Sequence, residues 1–143
     1  MSLNPEIWGP HYWFVLHTIS LTYPKNPNDI IKKKYYKFIQ ELHLFLPDNN
    51  IKKYYINLLN EYPVSPYLDS KDSFIRWVHF IHNIINKKLN KKTISMDEFL
   101  TDYYQNYKPK ELIHLEYAKK KQKYIYVSII LFILSISIYT YNK

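Results

Sequence analysis

The 143-residue sequence predicts an all-α protein: a four-helix bundle plus a short fifth helix, followed by a C-terminal transmembrane helix. Three observations point there. Apolar side chains recur three or four residues apart over four separate stretches, which is the period of a helix with one buried face. Prolines and capping residues punctuate those stretches, and no run alternates with the two-residue period of a strand. Near the end, Tyr124 to Tyr141 runs for eighteen residues without a charge, long enough to cross the hydrocarbon core of a bilayer.

Trp8-Gly9-Pro10 reads as a turn opening the first helix, with Pro10 at the first position, where a missing N–H costs nothing. Trp13, Leu16 and Ile19 mark its inward face, His17 lies one turn beyond Trp13, and Tyr23-Pro24-Lys25-Asn26-Pro27 stops it. A second helix is expected from about Asp29 to Phe45, with Ile31, Tyr35, Phe38, Ile39, Leu42 and Phe45 inward, and Pro47 ends it. The third begins near Asp48, whose carboxylate can accept hydrogen bonds from free amides, and carries Ile51, Tyr55, Leu58 and Leu59 inward until Pro63. After a loop from Val64 to Leu68, Asp69 or Ser70 caps the fourth helix. Ser95-Met96-Asp97-Glu98 is a capping box that opens the short fifth helix, through Phe99 and Tyr103 to about Tyr107.

The fourth helix organises the rest. At about 100° per residue it puts Phe74, Trp77, Val78, Ile81 and Ile85 on one face and His79, His82, Asn83 and Asn86 on the neighbouring one. The apolar stripe seats the helix in a bundle. The polar stripe is either a set of satisfied residues at the edge of a core or a row of ring and amide groups suited to a flat, hydrogen-bonding ligand. His79 and His82 lie three apart, but with no cysteine and no carboxylate beside them they do not make a zinc site.

Composition narrows the function. The net charge is +8, yet of 20 basic side chains only Arg76 is an arginine, and the lysines are dispersed over several short clusters. That pattern argues against sequence-reading nucleic-acid contacts. Lys, Ile, Asn and Tyr dominate, with one glycine (Gly9) and one alanine (Ala118), a skew that reflects AT-rich coding. There is no cysteine, so the chain offers no disulfide, no thiolate nucleophile and no Cys-ligated metal site.

The boundaries fall into a helical domain at 1–107, a basic juxtamembrane linker at 108–123 and a transmembrane tail anchor at 124–141. Met1 to Pro5 lacks the basic and apolar regions of a secretory signal. Lys119-Lys120-Lys121-Gln122-Lys123 precedes the apolar run, and Tyr124, Tyr126, Tyr139 and Tyr141 sit where interfacial aromatics belong. The basic cluster predicts that the helical domain stays on the cytoplasmic side.

In order, Trp8-Gly9, Trp13, Leu16-His17-Thr18, Tyr23-Pro24, Leu46-Pro47, then Trp77 and His82-Asn83-x-x-Asn86-x-x-Leu89-x-Lys91 resemble the Erv/ALR family of FAD-linked sulfhydryl oxidases over roughly Ile7 to Tyr107. The resemblance implies a helical bundle that holds FAD between helices and oxidises thiols to disulfides, with oxygen reduced to hydrogen peroxide. It implies flavin contacts from Gly9, Trp13, His17 and Tyr23, and from Trp77, His82, Asn83, Asn86 and Lys91, with Phe99 and Tyr103 as aromatics near the cofactor. A homodimer, or a heterodimer with a related oxidase, is implied as well. His79 is outside the motif and is read as structural. Members also occur in large DNA viruses, which fits an AT-rich, membrane-anchored chain of viral source.

At one point the sequence departs from the family. The Cys-x-x-Cys pair that follows the proline is replaced by Asp48 and Ile51, and Tyr54 stands where the family has a histidine. The family's chemistry needs a thiolate and a resolving thiol, and neither an aspartate nor an isoleucine can serve. Two readings follow: a FAD-linked thiol oxidase by descent, and a redox-inactive, membrane-anchored interaction module that partners a cysteine-bearing relative, with or without FAD. A basic membrane-surface scaffold with no cofactor is a third.

Overall fold

A computed structural model describes residues 3–142, and among the described residues there is no strand. Met1 and Ser2, the first residues of the expected helical domain, and Lys143 lie outside them. The helices are α1 (Pro5–Leu21), α2 (Asp29–Glu41), α3 (Asn49–Glu61), α4 (Lys71–Lys88), α5 (Met96–Gln105) and α6 (Lys110–Tyr141), with 3₁₀ turns at Leu42–Phe45 and Ser65–Tyr67.

Caps decide where these helices begin. Asn4 accepts a hydrogen bond from the Glu6 amide at 2.9 Å and Pro5 takes the first helical position, so α1 starts ahead of the expected turn. Trp8-Gly9-Pro10 is helical and Pro10 lies inside the helix. Its missing N–H forgoes a single bond early in the helix, where Asn4 and Pro5 have already set the winding. Asp48 Oδ1 accepts from the Asn50 amide at 2.9 Å and the Ile51 amide at 2.8 Å, capping α3 as expected. For α4 the cap is Ser70, which accepts from the Ser73 amide, while Asp69 pairs with Lys32 at 2.7 Å. Both arms of the capping box form: the Glu98 amide donates to Ser95 Oγ at 3.1 Å and the Ser95 amide to Glu98 Oε2 at 2.9 Å.

The second helix is shorter than expected. It gives way at Leu42 to a 3₁₀ turn, and the backbone extends at Leu46. Leu46 therefore takes the buried position, and Phe45, expected inward, is 67% exposed.

The chain divides into two compact units, one ending at Phe99 and the other beginning at Leu100. In the first, α1 packs on α4, and the Leu42–Phe45 turn packs on α2 and α3. Phe74, Trp77, Val78, Ile81 and Ile85 of α4 are all buried, together with Leu16, Ile39, Leu42, Tyr55, Leu58 and Leu59. Buried hydroxyl and indole donors find backbone partners, as such groups must: Tyr23 Oη donates to Leu68 O at 2.8 Å, Tyr55 Oη to Ile39 O at 3.0 Å and Trp77 Nε1 to Tyr62 O at 3.1 Å.

In the second unit α6 is one continuous helix of 32 residues with no buried side chain. The expected linker is thus helical from Lys110 onward. At 1.5 Å per residue the helix is about 48 Å long, more than the roughly 30 Å of a bilayer core. It is long and apolar enough to cross a membrane.

Candidate functional site

Four rings from three helices meet where α1 crosses α4. Trp13 and His17 sit one turn apart on α1, His82 comes from α4, and Phe99 from the first turn of α5, whose position the capping box sets. The Trp13 indole stacks on the His82 ring at 4.1 Å between centroids and 15° between planes. His17 Nε2 and His82 Nδ1 are 2.9 Å apart and share a hydrogen bond, while the Phe99 ring lies 4.0 Å from His17.

Both imidazoles are held neutral. Burial lowers the His17 pKa to about 3, helped by His82 and His79, and burial lowers that of His82 to about 4, helped by His79 and Lys91. The cause is mainly loss of water around the charged form. His17 Nδ1, on the far side of the ring from His82, is buried without a hydrogen-bond partner in the protein.

Beside the rings, an apolar cleft of about 40 Å³ runs between α1, α3 and α4, lined by Gly9, Trp13, Leu16, Ile51, Ile85 and Leu89 among others. A methyl group added at Gly9 would meet no atom within 4 Å. Ile51 reaches this cleft because Asp48 caps α3 three residues earlier and fixes the entry of the helix. Asp48 and Ile51, the positions expected from the resemblance to match the family's cysteines, therefore hold a cap and a piece of the cleft wall.

The connection from α4 to α5 is tied down by α4 itself. Asn83 Nδ2 donates to Ile94 O at 2.9 Å, the Ile94 amide donates to Asn83 Oδ1 at 3.0 Å, and His79 Nε2 is 3.0 Å from the same Ile94 carbonyl. Asn86 O accepts from the amides of Leu89 and Lys91, and Asn90 closes the turn in the left-handed region at φ 54°, where asparagine is among the residues that fit best. This clamp delivers Leu89 to the cleft and Lys91 to the neighbourhood of His82.

Of the residues singled out from sequence, Gly9, Trp13, His17, His82 and Lys91 thus surround one region. Asn83 turns its amide to the α4–α5 connection, and Asn86 is 8% exposed. Tyr23 and Trp77 are core residues whose polar atoms are bonded to Leu68 and Tyr62. His79 bonds the Ile94 carbonyl of the same connection. Leu16 and Ile85, which helical spacing marks only as core, wall the cleft together with Leu89 of the motif. The His17–His82 bond joins residues 65 positions apart, and no local pattern signals it.

A model of the Erv1 / Alr family matches residues 10–105. The chain is 31% identical over 110 residues to a probable FAD-linked sulfhydryl oxidase of Acanthamoeba polyphaga mimivirus, covering 76% of this chain and 77% of that protein. It is 32% identical over 115 residues to the FAD-linked sulfhydryl oxidase of African swine fever virus, covering 78% and 89%. The crystal structure of the yeast Erv1 core is similar with a TM-score of 0.62 at 25% identity, over 74% of this chain and 85% of that one. The FAD binding domain of Erv1 from Saccharomyces cerevisiae gives the same TM-score and identity, over 72% and 92%. With the family pattern spread over the helices that build the ring cluster and the cleft, the chain belongs to the Erv1 / Alr family of FAD-linked sulfhydryl oxidases.

Proposed function

We propose that this chain is a membrane-anchored member of the family that keeps the FAD site but has lost the dithiol relay, and that it works by pairing with a cysteine-bearing relative. The observation that carries this reading is the absence of cysteine from the whole sequence; the resemblance places Asp48 and Ile51 where the family has its relay pair. No group on the chain can attack the flavin and then be resolved as a disulfide.

The donor set fits FAD. Trp13 and His82 offer a stacked aromatic wall, and the cleft over Gly9 and Ile51 is apolar. His17 Nδ1 is a buried polar atom in want of a partner, and the Lys91 ammonium answers a phosphate linker. At about 40 Å³ the cleft is narrower than a tricyclic ring, so its lining side chains part on binding. When bound, FAD supplies a two-electron acceptor that passes electrons to oxygen. This chain's residues hold and shield it: Gly9, Trp13, His17, His82 and Lys91 line the region, Asn83 and Asn86 fix the turn that carries Lys91, and Tyr23 and Trp77 fix the helices beneath.

The partner surface is the outward face of α1 and the 3₁₀ turn. Phe14, Val15 and Phe45 are 40%, 54% and 67% exposed, and a groove between α1 and α2 is lined by Val15, Ile19, Phe38 and Phe45. A like surface on a second copy or on a related oxidase would cover it. Residues 124–141 of α6 form the anchor, the lysines at 119–123 hold the helical domain on the cytoplasmic side, and the viral relatives support a viral source.

The test uses the full chain purified in detergent with FAD and passed through gel filtration. A retained flavin spectrum without peroxide release from dithiothreitol is expected. Colourless, folded protein would refute the cofactor site, and peroxide formed at the rate of a cysteine-bearing relative would refute the lost relay.

A further inference from the structure

The hydrophilic end of α6 carries chemistry that anchoring alone does not need. Lys119, Lys120, Lys121 and Lys123 are exposed and continuous with the apolar run in one unbroken helix. No aspartate or glutamate follows Glu116 in the sequence. Glu116, one turn before Lys120, is occupied: both its carboxylate oxygens accept from Lys108 Nζ, at 3.0 and 3.1 Å. Among the described residues of α6 the lysine cluster thus stands without a free neighbouring counter-charge, and an uncompensated cationic patch attracts anions.

The patch is two-sided. Lys120 and Lys121 border a hollow on one side of α6, which also takes in Tyr117, Tyr124 and Ser128 and continues onto Ile125 and Ile129. Lys119 and Lys123, four apart, share the other side at about 100° per residue. Along the hollow the chemistry changes in order: ammonium groups and a phenol first, then Tyr124, then a hydroxyl flanked by isoleucines. From Lys121 to Ser128 the rise is about 10 Å. An anionic phospholipid has the same order, with phosphate and headgroup outermost, ester oxygens next and acyl chains inward.

We infer that the Tyr117, Lys120, Lys121, Tyr124 and Ser128 side of α6 is a selective binding site for an anionic phospholipid of the leaflet next to the helical domain. The inference rests on the reading of residues 124–141 as a membrane span. Lys120 and Lys121 neutralise the headgroup charge, the two tyrosines and Ser128 supply hydroxyl donors to phosphate and ester oxygens, and Ile125 and Ile129 lie along the first acyl carbons. A lysine near an anionic bilayer surface strengthens binding roughly fivefold.

The experiment reconstitutes the full chain in phosphatidylcholine vesicles that contain trace spin-labelled phosphatidylserine or trace spin-labelled phosphatidylcholine. Electron paramagnetic resonance then measures the motionally restricted fraction of each. Phosphatidylserine is expected to associate at least fivefold more strongly than phosphatidylcholine, and 1 M salt, with a Debye length of about 3 Å, to abolish the preference. The Lys120→Gln/Lys121→Gln variant should lose the preference, whereas Lys119→Gln/Lys123→Gln, of the same net charge, should keep most of it. Equal association of both lipids, or equal loss in the two variants, would overturn the site while leaving the anchor intact. Alkaline extraction separates the two claims: a chain washed from neutral vesicles refutes the membrane span, and the lipid site with it.

Discussion

The neutral histidine pair makes the helical domain sensitive to mild acid. Unfolded, each imidazole titrates near 6.5; folded, His17 is lowered to about 3 and His82 to about 4. Because the folded pKa lies below the unfolded one, the unfolded chain binds more protons between these values. The pair's contribution is therefore fully present above pH 6.5 and is lost as pH falls toward 4 and 3. From pH 7 to pH 5, a histidine that takes up its proton only on unfolding destabilises the fold by about 2 kcal/mol, so the pair accounts for about 4 kcal/mol. That is a large share of the ~5–15 kcal/mol that holds a domain together. The geometry agrees, since protonating both rings would set two N–H groups against each other across 2.9 Å.

The assay is denaturant unfolding of the full chain followed by tryptophan fluorescence, because Trp8, Trp13 and Trp77 all lie in the unit that ends at Phe99. A His17→Gln/His82→Gln variant, compared over the same pH range, cancels the other titrating groups. Its stability should start lower at pH 7 and fall by about 4 kcal/mol less than wild type on going to pH 5. Parallel pH profiles for the two proteins would mean that the pair is charged or solvated in the fold, and the description of the ring cluster would be wrong.

Other substitutions probe the neighbouring features. Asn83→Ala removes both amide bonds to Ile94 and leaves that backbone N–H unpaired; a loss of about 2–3 kcal/mol and faster hydrogen exchange at residues 94–99 are expected. Gly9→Ala meets no atom, so the melting temperature should rise with a helix gain of about 0.5–1 kcal/mol, while flavin retention on gel filtration should fall if the cofactor covers this spot. Asp48→Cys/Ile51→Cys gives up the α3 cap, at about 1 kcal/mol, and should confer peroxide release with dithiothreitol on flavin-loaded protein; an oxidised but inert pair would show that the cleft no longer presents flavin to α3.

Most of the fold was legible because its determinants are local. Asp48, Ser70 and the Ser95–Glu98 box each act within three residues of themselves, and the buried stripe of α4 follows from spacing alone. α1 starts at Asn4-Pro5 rather than at the Trp8-Gly9-Pro10 turn because Asn4 supplies a side-chain acceptor for a free amide, which Gly9 cannot. Phe45 turns outward because the 3.6-residue period of α2 does not carry through the tighter winding of the 3₁₀ turn. At the site, the polar stripe of α4 was visible but its division of labour was not. Whether His82 or His79 meets α1, and whether Asn83 points to a ligand or to Ile94, depends on the rotation of α4 against α1 and on the path of residues 89–95, both settled by contacts between distant segments.

The manner in which the cysteines are absent bears on function. A helix N-terminus favours an anion whether sulfur or oxygen carries it, and Asp48 meets that demand while its carboxylate satisfies two free amides. At the second position Ile51 is an apolar side chain in an apolar cleft wall. Asp48 and Ile51 therefore each fill a structural role, one as a cap and the other as cleft wall. Simple removal of the pair, to alanine for instance, would have left α3 uncapped and the cleft wall short of several carbons, at about 1 kcal/mol for the cap and about 1 kcal/mol or more for each buried methylene lost from a packed wall. This chain bears neither cost. What the residues at these two positions preserve is thus the capped start of α3 and the wall of the apolar cleft.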